Sequence, residues 1–132
     1  MVSIQTESLS LWTSNITSDG FGGVQGGGGG SGGSIAVDYF HMTLTGSNFM
    51  EANGGEARSS GGGGRVRVWN HRWKYEGLTL GGIDSQENGT IRIEASGGGG
   101  CSAELGCGQA GSIASSPCPP GLYLDQDTLM CL

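Results

Sequence analysis

Residues 26 to 34 read GGGGGSGGS and run directly into Ile35-Ala-Val-Asp38. The same junction of glycine with an alternating branched apolar pair returns at Gly64-Arg-Val-Arg-Val68 and Gly89-Thr-Ile-Arg-Ile93. A unit reused in this way suggests a structure that grows by stacking similar rungs, with glycine where only a backbone fits. Within each rung Ile35 and Val37, Val66 and Val68, or Ile91 and Ile93 take one face, while Ala36, Asp38, Arg67, Arg92 and Glu94 take the other. That is the two-residue period of a strand with one dry and one wet side. Candidate rungs centre on Ile35, Phe49, Val66, Leu78, Ile91 and Ile113, strand-length pieces separated by glycine clusters. Stacked in register, Val37, Val68 and Ile93 are expected to form an inward column. The outward columns would be Ala36, Arg67, Arg92 beside Asp38, Trp69, Glu94. Exposed charge pairs contribute only about 0.2–1 kcal/mol each, so the buried column sets the register.

Glycine supplies 29 of the 132 residues and apolar residues only 35%, so the chain can bury only a thin core. Collagen is excluded, because the Gly-X-Y period is absent and prolines number three. Asn53-Gly54-Gly55 and Gly81-Gly82 suit corners that need positive φ. Longer runs need another account, since ordering each residue costs about 1–2 kcal/mol of backbone entropy and gains no side-chain contact. They are either flexible linkers or extended segments hydrogen-bonded to neighbours. The expectation is paired backbone, in which polyglycine adopts a polyproline-II-like form.

A net charge of −6 with six Lys and Arg leaves little to neutralise phosphates, which argues against nucleic-acid binding. No apolar run approaches the roughly 20 residues that span a bilayer. The opening MVSIQTESLSLW has neither a basic nor an apolar leader region, so a signal peptide either has been removed or belongs to a longer parent. Its partial alternation from Val2 to Trp12 marks a strand for addition to a neighbouring subunit.

All four cysteines, Cys101, Cys107, Cys118 and Cys131, fall in the last third at spacings C-x5-C, C-x10-C and C-x12-C. Without CxxC knuckles the pattern reads as disulfides rather than a metal site. Three pairings are formally possible. The sequential one, Cys101 with Cys107 and Cys118 with Cys131, closes the shortest loops, and the second loop would restrain the unfolded chain by about 3 kcal/mol. Two N-glycosylation sequons, Asn15-Ile-Thr17 and Asn88-Gly-Thr90, join the cysteines in pointing to an extracellular or cell-surface location.

Cys118-Pro-Pro-Gly-Leu-Tyr-Leu-Asp, running on to Cys131, resembles the opening of the cysteine-rich modules of tumour-necrosis-factor-receptor-like and ephrin-receptor-like ectodomains. The resemblance implies that further modules follow in the parent polypeptide. Gly29 to Val37, Ala52-Asn-Gly-Gly55, Gly61 to Val68, and Gly89 to Ala95 with Gly97 to Gly100 resemble glycine-rich repeat regions of large eukaryotic cell-surface proteins. For those the implied fold is a β-solenoid.

The densest aromatic patch is WNHRWKYE, residues 69 to 76, where an extended chain puts Trp69, His71, Trp73 and Tyr75 on one face. Such a row either stacks on sugar rings or covers the solenoid or a subunit contact; large aromatics dominate cores and interfaces, so the second is preferred. His41 and His71 stand in no metal-spaced constellation, and Asp38, Glu51 and Glu94 lie on different rungs. Asp19-Gly-Phe-Gly-Gly lacks the Gly-Lys-Ser/Thr ending of a phosphate loop. Helical periodicity is weak throughout.

The expectation is therefore an all-β, glycine-rich β-solenoid or β-helix-like domain over residues 1–100. A small disulfide-linked module follows over 101–132. The function expected is extracellular, structural or adhesive and non-enzymatic, a subunit of a fibril or surface matrix that associates with itself or with other matrix proteins and needs no cofactor or metal. Two alternatives are kept. One is a carbohydrate-binding module using the aromatic strand. The other is a polysaccharide-active β-helix enzyme, which would need clustered carboxylates beside a groove.

Overall fold

The structure, a computed structural model, describes residues 1–70, 85–102, 104–115, 121 and 123. Among these there is no helix. The elements are β1 (Val2–Trp12), β2 (Asn15–Thr17), β3 (Ser34–Glu51), β4 (Arg65–Asn70), β5 (Ser85–Glu94) and β6 (Ser112–Ser115). Every strand pairing is parallel and all six strands belong to one sheet. Parallel neighbours need a long return path, and in this chain glycine-rich segments supply it in place of helices.

The longest strand, β3, organises the sheet. Its first half lies between β1 and β4, with Ile35 beside Val2 and Val66, and Val37 beside Ile4 and Val68. Its second half lies between β2 and β5, with Met50 beside Ile16 and Ile93. β6 extends the first half past β4, placing Ile113 beside Val66, so the strand array continues beyond residue 100.

Two expectations change here. The rungs centred on Ile35 and Phe49 are a single strand, because no glycine cluster interrupts residues 34–51. The column Val37–Val68 forms as expected, but Ile93 stacks on Met50, since β5 follows the second half of β3 and not β4. Arg92 and Glu94 accordingly stand beside Phe49 and Glu51, away from Arg67 and Trp69. Within its own chain β1 pairs with β3, over registers from Val2–Ile35 to Trp12–Thr45. The rung expected at Leu78 lies outside the described residues.

The core is one file of side chains. Ile35, Val37, Tyr39, Met42, Leu44, Met50, Val66, Val68 and Ile91 are all buried to 2% exposure or less. Along β3 the buried set passes from odd positions (Ile35, Val37, Tyr39) to even ones (Met42, Leu44), and β1 changes phase at the same level, from Val2 and Ile4 to Leu9 and Leu11. Side chains alternate strictly across a strand, so a change of phase shared by two neighbours marks a common bend.

Beyond the strand ends the sheet passes into glycine segments. Residues 18–23, 52–57 and 95–99 continue β2, β3 and β5, and are joined side by side through Gly20 N–H to Asn53 C=O, Gly54 N–H to Ser96 C=O, and Ala57 N–H to Gly99 C=O. Residues 28–33, 60–64 and 108–111 lead back into β3, β4 and β6, joined through Gly32 N–H to Gly62 C=O and Gly63 N–H to Gln109 C=O. The two layers are bonded to each other as well. Gly30 and Gly33 donate to Phe21 and Ser18, Gly61 and Gly64 to Gly55 and Ala52, and Gly98 to Gly61.

Donors directed at the same neighbour recur every third residue: Gly29 and Gly32 within one layer, Gly30 and Gly33 across to the other. Three residues per turn is the period of the polyproline-II helix, which has no internal hydrogen bonds and must find its partners in its neighbours. Contact is close enough to exclude side chains. A Cβ built on Gly61 would stand 1.9 Å from Gly30 O, one on Gly55 1.9 Å from Phe21 O, and one on Gly64 1.9 Å from Gly33 O. With hydrogen in that place, each becomes a Cα–H···O contact.

Gly61→Ala is expected to cost about 3 kcal/mol or more, at the upper end of overpacking, because the clash is with backbone that cannot rotate away. Gly62→Ala, whose Cβ would meet only Gln109 O at 3.6 Å, is expected to change stability by less than about 0.5 kcal/mol. Thermal or denaturant unfolding of the two variants checks the contrast.

Candidate functional site

Chemistry on this fold depends on what the bends, the wet face and the edges present. Among the described residues no three His, Cys, Asp or Glu side chains come together to hold a metal ion. His41 pairs edge-on with Phe40, ring centres 5.1 Å apart. Asp38 meets Arg67 at 3.2 Å, the diagonal contact expected from adjacent strands. Glu51 and Glu94 stand directly opposite each other on β3 and β5, and Glu94 is held by Arg92 at 3.3 Å.

Of the aromatic row, Trp69 lies on the wet side of β4 beside Asp38, with the Arg67 guanidinium 5.1 Å from its ring centre. A cation in that position stacks on one face of the indole. His71, Trp73 and Tyr75 lie outside the described residues. The next residue inward, Asn70, is buried and hydrogen-bonds Tyr39. Burial pushes the Tyr39 hydroxyl well above the usual tyrosine range, and the bond from Asn70 partly opposes that shift, so Tyr39 stays a neutral phenol in the core.

Asn15 is exposed on β2, and so is Thr17, the hydroxyl residue of its sequon. Asn88 lies on β5 with its backbone opposite Thr45. Cys101 and Cys107 are disulfide-bonded, closing the turn between the glycine segments at 95–99 and 108–111. Cys118 and Cys131 lie outside the described residues.

Two polar positions that carry much of the architecture are not evident from sequence. Asn48, 1% exposed, sits at the bend after Gly46, where φ is +70°. Its Oδ1 accepts the Ser14 N–H at 2.9 Å, and its Nδ2 reaches the carbonyls of Thr45, Gly46 and Thr90 at 3.1–3.2 Å. One side chain thus joins the link between β1 and β2 to β5, across β3. Asn53 repeats the device on the surface: Asp19 Oδ1 accepts the Asn53 N–H at 2.6 Å, and Asn53 Oδ1 accepts the Ser96 N–H at 2.9 Å. Asparagine before a glycine reads as a turn residue, which conceals its use as a clamp between tiers.

The surface also carries single exposed aromatics, Trp12 at 79% and Phe21 at 91%. Trp12 borders a shallow open groove of about 420 Å³ with Ser10, Thr43 and Thr45. Compared with known proteins, the chain matches no family model, no curated protein and no solved structure.

Replacing Asn48 by Ala strands one buried donor and removes the partner of three carbonyls, so a loss of about 2–3 kcal/mol is expected in denaturant unfolding. Asn48→Asp keeps the acceptor but faces those carbonyls with a carboxylate, and is expected to be no more stable than the alanine variant at neutral pH.

Proposed function

We propose that this chain is an extracellular structural or adhesive element, a glycine-rich β-solenoid whose tiers are strand, glycine segment out and glycine segment back. The observation that carries this reading is that sheet and glycine layers share one stacking order. Strands β2, β3 and β5 pair in the same sequence as the segments at 18–23, 52–57 and 95–99 that follow them. A body of this kind presents long faces and free edges, which suits spanning and surface display. The Cys101–Cys107 disulfide supports an oxidising compartment. In this reading Cys118 and Cys131 form the second bridge, opening a receptor-like cysteine-rich module, and the protein joins copies of itself or other matrix proteins into a fibril or surface layer.

Carbohydrate binding is the second reading, favoured by the partly exposed Trp69 on the wet face. Arg67 already stacks on that indole, so a sugar has one ring face left to it.

Secretion of the protein from eukaryotic cells, followed by non-reducing peptide mapping, tests the compartment and the modifications together. The expected result is a Cys101–Cys107 peptide, a Cys118–Cys131 peptide and sugar on Asn15. Free thiols with an unmodified Asn15 would overturn the extracellular reading. Trp69→Ala is expected to leave glycan-array signals at background, and a specific signal lost in that variant would move the assignment to carbohydrate binding.

A further inference from the structure

One end of the stack is open. On β1 and β2 the inward residues Val2, Ile4, Leu9 and Ile16 are only partly buried, whereas their neighbours Ile35, Val37, Met42 and Met50 on β3 are buried to 1% exposure or less. Among the described residues β1, 11 residues long, has a partner strand on one side only. Edge strands are ordinarily blunted by proline, lysine or short length. β1 has none of these, and its single charge is Glu7.

The glycine layer beside that edge is closed, which decides what kind of partner fits. Phe21, Gly55 and Gly98 hold equivalent places in successive tiers, as the bonds Gly20 to Asn53 and Gly54 to Ser96 show. A Cβ on Gly55 would stand 1.9 Å from Phe21 O, and one on Gly98 2.0 Å from Gly55 O. A further glycine segment stacked in register on Phe21 would bring its carbonyl to the place where the phenyl group begins. No complete tier can be added there, so an occupant of this end pairs with the strand and leaves the glycine layer alone.

β1 is complementary to itself under that restriction. Its phase change puts Val2 and Ile4 inward before the bend and Leu9 and Leu11 inward after it. Antiparallel pairing of two copies about a twofold axis between Thr6 and Glu7 sets Val2 opposite the partner's Leu11 and Ile4 opposite the partner's Leu9. All four apolar residues then meet apolar residues, and inside stays inside. The phase change also moves the axis off Glu7, which faces the partner's Thr6, so the two carboxylates are not opposed.

We propose that two copies of this chain join end to end, head to head, through antiparallel pairing of β1, closing the open end of each core. The proposal rests on the stacked arrangement in the structural reading above and names the geometry of its self-association.

Gln5 and Ser8 are exposed on the wet side and oppose each other across this axis, so they report the register without disturbing the core. Light scattering of the full chain over a dilution series is expected to show a dimer. Gln5→Glu with Ser8→Glu sets like charges opposite twice and weakens the dimer about tenfold, while Gln5→Lys with Ser8→Glu restores or tightens it. The proposal is overturned by a monomer at every concentration, by a dimer indifferent to both pairs, or by open-ended oligomers, which mean head-to-tail addition. Circular dichroism separates the two levels. A monomer with an intact β signal rejects the pairing alone, whereas wild-type protein without that signal rejects the stacked reading itself.

Discussion

Approach of one main chain to another, close enough to leave no room for a Cβ, is the constraint on which the rest of this structure depends. Gly54, Gly61, Gly64, Gly108 and Gly111 each present a hydrogen to a carbonyl oxygen that a methyl group would meet at 1.9 Å. Ordering such segments costs more backbone entropy than ordering any other residue. What offsets that cost is a donor directed to a neighbour at most positions, each bond contributing about 0.5–1.5 kcal/mol net, with the Cα–H···O contacts added. A glycine segment on its own has neither, so these segments are ordered only as an array.

The array and the sheet hold each other in register. β3 fixes the height at which residues 52–57 leave the sheet, and the return segment at 60–64 fixes where β4 begins, through Arg65 N–H to Gly33 C=O. Ala52 and Ala95 are buried at the seam, where the side chains shrink from methionine and isoleucine to a single methyl before disappearing. Asn48 and Asn53 tie consecutive tiers on either side of that seam. A slip by one residue would turn Ile35, Val37, Val66 and Val68 to the wet face and set Cα hydrogens against the wrong carbonyls at once. Stability is therefore expected to be cooperative despite the thin core.

Much of the strand content was legible because alternation is a local signal. Ile35–Val37 and Val66–Val68 declare a dry face within four residues, and their neighbouring register follows from shared glycine junctions. The placement of β5 was not legible, because Gly89-Thr-Ile-Arg-Ile93 looks like the opening of a rung, yet Gly89 lies within the strand, against Leu44. β1 was half legible: its phase change reads as broken alternation in one dimension and as a bend once β3 shows the same break. Pairing of the glycine runs with neighbouring backbone was a physical expectation; it holds from Gly29 onward, whereas Gly26, with φ +84°, and Gly27, whose N–H bonds to Val24 C=O, form a turn. The clamps at Asn48 and Asn53 escaped because nothing local separates an asparagine that turns a chain from one that bridges two. Of the candidate site, Trp69 is partly exposed, Asn15 is exposed and Cys101 pairs with Cys107. No local pattern foretold the Arg67 guanidinium over Trp69, since that contact depends on which strand lies alongside.

Amide hydrogen exchange by NMR at single glycines is the most direct measurement of the central claim. The N–H groups of Gly30, Gly33, Gly55, Gly61 and Gly64 each donate to a carbonyl of the facing layer. They are expected to exchange as slowly as those of Val37 and Val68 in the sheet, at the rate of global unfolding. Exchange of these glycines at unprotected rates, with Val37 and Val68 still protected, would contradict the account.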